Sequence, residues 1–145
     1  MNLEINIDDA RLQKHNKLSK PLVFGIAWRF DDTFYPDENW MDFGIVILGW
    51  WFHAAVNLAK GEKELTLPFM DGPYRVRVTV NNNEKNLTIA PDGTNIRESI
   101  SFKNFCIELI DATNKIIEKL CELKIDESNV HVLKQYIEML RPHMY

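Results

Sequence analysis

Apolar and polar residues alternate in two N-terminal stretches. Leu3 to Ile7 reads Leu-Glu-Ile-Asn-Ile, the period of a half-buried strand. Pro21 opens a longer apolar strand, Leu22 to Phe30, in which Gly25 marks a bulge or the close approach of another backbone. Between them, Asp8 to Lys20 is a polar connection carrying Arg11, Lys14, Lys17 and Lys20, with room for a short helix.

The period then changes. Pro36 suits a first helical turn, and Asp37, Glu38 and Asp42 would complement the positive end of a helix dipole. Gly61 stands where a C-terminal glycine belongs, so a helix is predicted over Pro36 to Lys60. Turned at 3.6 residues per turn, it gathers Asp42, Gly49, His53, Asn57 and Lys60 on one narrow face, with Val46 as the bulky apolar residue among them. A thin polar stripe on an otherwise apolar helix implies burial on three sides and one edge near solvent. The uninterrupted apolar run is too short for a membrane span, and its flank is acidic. This is expected to be a core helix. All four tryptophans (Trp28, Trp40, Trp50, Trp51) fall in one short stretch, which is expected to be the centre of the core.

Glu64 to Met70 and Tyr74 to Val80 alternate around Asp71-Gly72-Pro73 and predict a hairpin. Tyr74, Val76, Val78 and Val80 would face the core, with Arg75, Arg77 and Thr79 on a wet face. Asn81 to Asn86 is a polar turn, Leu87 to Ala90 a returning strand, and Asn95 to Ile100 an edge strand beyond Pro91-Asp92-Gly93. Ser101 caps a long helix to about Leu123, its stripe running from Phe102, Phe105 and Cys106 to Leu120. After Asp126-Glu127-Ser128, a last helix buries Val130, Leu133, Tyr136, Ile137 and Leu140 and stops near Pro142. The expected architecture is α+β. A mainly antiparallel sheet of five or six strands is covered by the Trp-rich helix and a C-terminal helix pair, in one domain over residues 1–145.

Composition narrows the class. With 145 residues, 46% hydrophobic and 26% charged, the chain has the make-up of a globular domain. A net charge of −4, with no basic stripe, disfavours nucleic acid as a direct partner. The opening Met1 to Asp9 lacks a basic region followed by an apolar run, so no secretory signal is expected. Cys106 and Cys121 fall in one helix, about 22 Å apart at 1.5 Å per residue, far beyond the ~7 Å that a disulfide spans. Two free thiols and a cytoplasmic location are expected.

No pair of histidines or cysteines has metal-ligand spacing, and no phosphate-binding glycine loop or nucleophile elbow occurs. No catalytic residue, metal or cofactor is therefore assigned. His53, with Asn57 one turn on and Asp42 on the same predicted face, is the best catalytic candidate. Asp42 would lie ~16 Å away along the axis, too far for direct pairing. His53 reads first as a histidine on the solvent edge. An enzyme with its site along Asp42, His53 and Asn57 is the alternative, and a structural or regulatory interaction module is a third. His15, His131 and His143 read as surface residues. Cys106 reads as a small buried hydrophobe, and Cys121 lies nearer the margin of the stripe.

The charge pattern holds one anomaly. Asp31, Asp32, Asp37, Glu38 and Asp42 lie in twelve residues without a base, interleaved with Phe34, Tyr35 and Trp40. A solvated loop and a helix start account for part of this. Acids beside aromatics also suit a basic protein partner, charges steering and rings anchoring. Asp31, Asp32, Asp37 and Glu38 are the candidate contacts and Tyr35 the candidate anchor. Asp42 is set aside as a residue of the helix dipole.

The stretch Trp40-Met-Asp-Phe-Gly-Ile-Val-Ile-Leu-Gly-Trp-Trp51, followed by Phe69-Met-Asp-Gly-Pro-Tyr74, resembles small bacterial immunity proteins that accompany polymorphic or contact-dependent growth-inhibition toxins. The likeness spans roughly Trp40 to Val80. It implies a non-enzymatic cytoplasmic protein that binds and neutralises one cognate toxin domain, and it carries over no family binding residue.

Overall fold

A computed structural model of the chain describes residues 1–8, 10, 12, 14, 21–81 and 86–144. Most of the polar connection before Lys20, including Arg11, His15, Lys17 and Lys20, lies outside the described residues, as do positions 82–85 of the polar turn.

The first sheet is built on β2 (Phe24–Phe30), every residue of which except Arg29 is buried. β1 (Asn2–Asn6) runs antiparallel along one edge, Asn2 opposite Arg29 and Asn6 opposite Gly25. Gly25 does mark a close approach, since a Cβ there would sit 2.8 Å from that of Asn6. β3 (Thr33–Tyr35) and β4 (Met41–Asp42) share the other edge, with Tyr35 opposite Trp28 and Asp42 opposite Phe24. Between them the Ile26 amide donates to the Trp40 carbonyl at 3.0 Å.

The helix expected from Pro36 therefore begins at Gly44 and runs to Ala59 as α1. The edge of a buried strand cannot leave its amides and carbonyls unpaired, so the segment after Asp31 is held in the ladder first. Asp42 stands outside the helix and is 2% exposed. Its carboxylate accepts the Trp40 indole at 3.1 Å, the Phe43 amide at 2.7 Å and the Asp71 amide at 3.2 Å. Gly44 packs under the ring of Phe24, which any Cβ would overlap.

Within α1 the solvent edge is Val46, Trp50, His53 and Asn57, at helical intervals of four, three and four. Gly49, expected on that edge, is instead buried, because Tyr136 crosses so closely that a Cβ would lie 2.5 Å from its hydroxyl. Trp50, expected in the core, is 41% exposed, since the neighbouring Trp51 points inward. Gly61, at φ +114°, closes the helix as expected: its amide reaches Leu58 and that of Glu62 reaches Asn57, satisfying the last carbonyls.

The second sheet is an antiparallel meander of β5 (Glu64–Pro68), β6 (Arg75–Val80), β7 (Asn86–Pro91) and β8 (Glu98–Ser101), in that order. The predicted hairpin is present, Leu67 opposite Val76. Val76 and Val78 are buried, while Arg75 and Arg77 on the wet face pair with Asp92 and Glu64. The chain is thus α+β with antiparallel strands, which among the described residues form two sheets of four where one sheet of five or six was expected. The two short strands β3 and β4 account for the difference in number.

α2 (Phe102–Leu123) starts at Ser101, whose hydroxyl accepts the Asn104 amide at 3.1 Å, and α3 (Glu127–Leu140) leads into a short 3-10 turn at Arg141–His143. One contiguous core joins both sheets to the three helices. Its centre is Trp28 of β2, with ring centroids 5.4 Å from Trp51 of α1 and 6.0 Å from Phe105 of α2. The Trp28 indole N–H has no hydrogen-bond partner among the described residues, whereas that of Trp51 donates to the Pro68 carbonyl at 2.9 Å.

Cys106 and Cys121 both lie in α2 as free thiols, the first buried and the second exposed. Burial pushes the Cys106 thiol up to about 12. Thiolate is the reactive form, so a native sample at pH 8 should yield one rapidly reacting thiol with an aromatic disulfide reagent. Denatured protein should yield two. Two fast thiols in native protein would contradict the packing of Phe105, Cys106 and Leu109.

Candidate functional site

β3 is three residues long, and the predicted acids lie just beyond its two ends. Asp31 and Asp32 form the turn that enters it, Asp31 at φ +54°, a conformation that aspartate tolerates better than most residues. Asp37 and Glu38 lie in the loop that leaves it, where the Asp37 carboxylate accepts the Glu38 amide at 2.7 Å. All four are exposed.

Phe34 lies between the two pairs on the outer face of the first sheet. It shares a shallow depression of about 260 Å³ with Glu4, Gly25, Ala27, Glu38 and Asn39. The Arg29 guanidinium lies over the Phe34 ring, 5.6 Å from its centroid. Arg29 also reaches Glu4 at 3.7 Å and Asp32 at 3.9 Å, and its Nε donates to the Asp31 carbonyl at 2.7 Å. The sequence interval lacks a base, but space supplies one. Its charge offsets part of the acidity near Asp32 and leaves Asp37 and Glu38 unpaired by any cation among the described residues. These ion pairs are solvent-exposed and add little stability, on the order of 0–1 kcal/mol each.

Tyr35 does not fit the anchor role. It is 5% exposed, and its hydroxyl accepts the Arg75 amide at 3.1 Å and has the Arg75 and Asp92 carbonyls as acceptors at 3.0 Å. Burial raises its pKa. The residue joins the first sheet to the second and offers little surface to a partner. Among the described residues, the large apolar side chains that are exposed are Val46, Trp50, Met70 and Tyr74. Met70 and Tyr74 bracket the β5–β6 turn, and the Tyr74 ring stands edge-on to Trp40 at 5.1 Å. Tyr74, expected on the core face with Val76 and Val78, is exposed because β6 begins only at Arg75 and Tyr74 belongs to the turn.

The alternative site along α1 is not assembled. Asp42 is off the helix and fully engaged by three donors. His53 is exposed, its Nδ1 2.8 Å from the Gly49 carbonyl one turn back. It borders an open depression with His131, Lys134, Tyr136 and Met139, between α1 and α3. Among the described residues no three His, Cys, Asp or Glu side chains are grouped to hold a metal ion, and no helix is long and apolar enough to cross a membrane. No protein-family model matches the chain, and no curated protein or solved structure matches it either.

Proposed function

We propose that this chain is a non-enzymatic immunity protein that binds a cognate bacterial toxin domain in the cytoplasm and masks its active surface. The observation that carries the reading is the exposure of Asp31, Asp32, Asp37 and Glu38 around Phe34, on a face where Arg29 is the neighbouring cation. The resemblance of Trp40–Trp51 and Phe69–Tyr74 to immunity proteins supports it. A toxin that attacks nucleic acid needs a basic cleft to hold phosphates. An acidic face fits such a cleft by charge, with fast, salt-sensitive association.

The test is co-expression with the variable C-terminal domain of a large secreted protein encoded beside this chain. Growth arrested by that domain alone should be restored when this chain is made with it. Continued arrest at equal abundance of both proteins would end the immunity reading. A second reading, a module held within a larger assembly, draws on the exposed Val46 and Trp50 of α1. It requires that Trp50→Ser abolish assembly and leave any rescue intact.

A further inference from the structure

Phe69 to Tyr74 is the outer end of a file of aromatic contacts that starts in the core. Trp28 meets Trp51 at 5.4 Å, Trp51 meets Phe69 at 5.2 Å, and Phe69 meets Tyr35 and Trp40 at 6.2 and 6.3 Å. Tyr74 closes the file edge-on to Tyr35 at 5.9 Å and to Trp40 at 5.1 Å. Hydrogen bonds fix the turn as firmly. The Phe69 amide donates to the Tyr74 carbonyl at 3.1 Å, the Asp71 amide to Asp42, and the Arg75 amide to the Tyr35 hydroxyl.

At the tip of this braced turn, Met70 is 40% and Tyr74 39% exposed. Gly72, at φ +79°, lies against the rings of Tyr74 and Trp40, so the turn and the Pro36–Trp40 loop are packed on each other. The Asp42 carboxylate ties them together, holding the Trp40 indole and the Asp71 amide on one oxygen. Asp37 and Glu38 of the loop and Asp71 of the turn are exposed, and no ion pair engages them among the described residues. Arg75, the nearest base in sequence, is turned to Asp92 at 2.6 Å.

We propose that the Met70–Tyr74 turn and the Pro36–Trp40 loop form a preformed docking surface for a basic protein segment. Met70 and Tyr74 seat against apolar groups of the partner, and Asp37, Glu38 and Asp71 face its lysines and arginines. The inference rests on the reading that this chain binds a protein with a positive surface, and it replaces Tyr35 by Tyr74 as the anchor. Two features favour that occupant. Tyrosine on a rigid support loses little conformational freedom on binding, and tyrosine and methionine are both enriched where interfaces bury their apolar core. The unpaired acids at the rim select a cationic partner and set its encounter rate.

The experiment needs no knowledge of the natural partner. A random dodecapeptide library is panned on the immobilised chain, and enriched peptides are titrated against wild type and Met70→Ser/Tyr74→Ser. Both positions are surface-exposed, so the variant should keep its thermal midpoint within a few degrees; otherwise the double variant Met70→Lys/Asp71→Lys, which leaves the Tyr74 ring in place and repels a basic segment, replaces it. Enriched peptides should carry lysine or arginine beside an apolar residue, bind wild type at least tenfold more tightly than the double variant, and weaken as salt rises. Peptides without basic residues, equal binding to both proteins, or no enrichment would overturn the proposal. So would self-association of wild type that the double variant abolishes, since the occupant would then be a second copy. The outcome is separable from the immunity reading. Peptides found without growth rescue keep the surface and remove the toxin, whereas rescue undiminished by the double variant keeps the toxin and removes the surface.

Discussion

Reversing Asp31, Asp32, Asp37 and Glu38 to lysine should slow association with the proposed toxin domain by roughly tenfold to a thousandfold at low salt. Each reversal adds two charges, so the four move the formal net charge from −4 to +4. Steering acts before contact, so the loss should appear mainly in the association rate and shrink as salt shortens the ~10 Å screening length. The fold should survive, because all four side chains are exposed. At Asp31 the φ of +54° is no bar to lysine, since Lys124 of the same chain holds φ +56°. Stopped-flow association at several salt concentrations checks this. A rate unchanged by the quadruple variant, with the fold intact, would place the contact elsewhere.

The second large effect concerns stability. Asp42→Ala should destabilise the protein by about 3–5 kcal/mol, because it strands three donors, two of them backbone amides, around a site that is 2% exposed. For a chain of this length the thermal midpoint should fall by roughly 10 °C or more. Asp42→Asn should cost less, since one amide oxygen still accepts while the amide nitrogen cannot. Chemical denaturation of both variants decides it. A loss below about 1 kcal/mol for Asp42→Ala would mean that the carboxylate does not tie Trp40 and Asp71 together, and the preformed surface would lose its brace.

The sequence was most legible where one element carried its own pattern. The β5–β6 hairpin follows from alternation around Asp71-Gly72-Pro73, and α2 from a stripe that begins at a serine cap. β3 and β4 have three and two residues, too few for a period to show. The proline and acids beside them serve a turn as well as a helix start, so the helix begins eight residues later than the sequence pattern predicts. The division into two sheets depends on pairing between distant strands, which no local window contains.

The same distinction holds for the site. Exposure of Asp31, Asp32, Asp37 and Glu38 followed from their polarity in an irregular segment. Tyr35 could not be placed, because the groups that hold its hydroxyl are 40 and 57 residues away. Arg29 lay just outside the acidic interval, and only the β2–β3 ladder sets it opposite Phe34. Trp50 was within reach: the helical rotation that exposes His53 carries Trp50 to the same edge.

The most direct test of the central claim is an isothermal titration of the purified chain with the neighbouring toxin domain, at low and at moderate salt. A one-to-one complex is expected, with an affinity that falls as salt rises if acidic side chains face a basic cleft. Saturable binding indifferent to salt would contradict the acidic interface, and no heat at two temperatures together with no complex on gel filtration would contradict the immunity function itself.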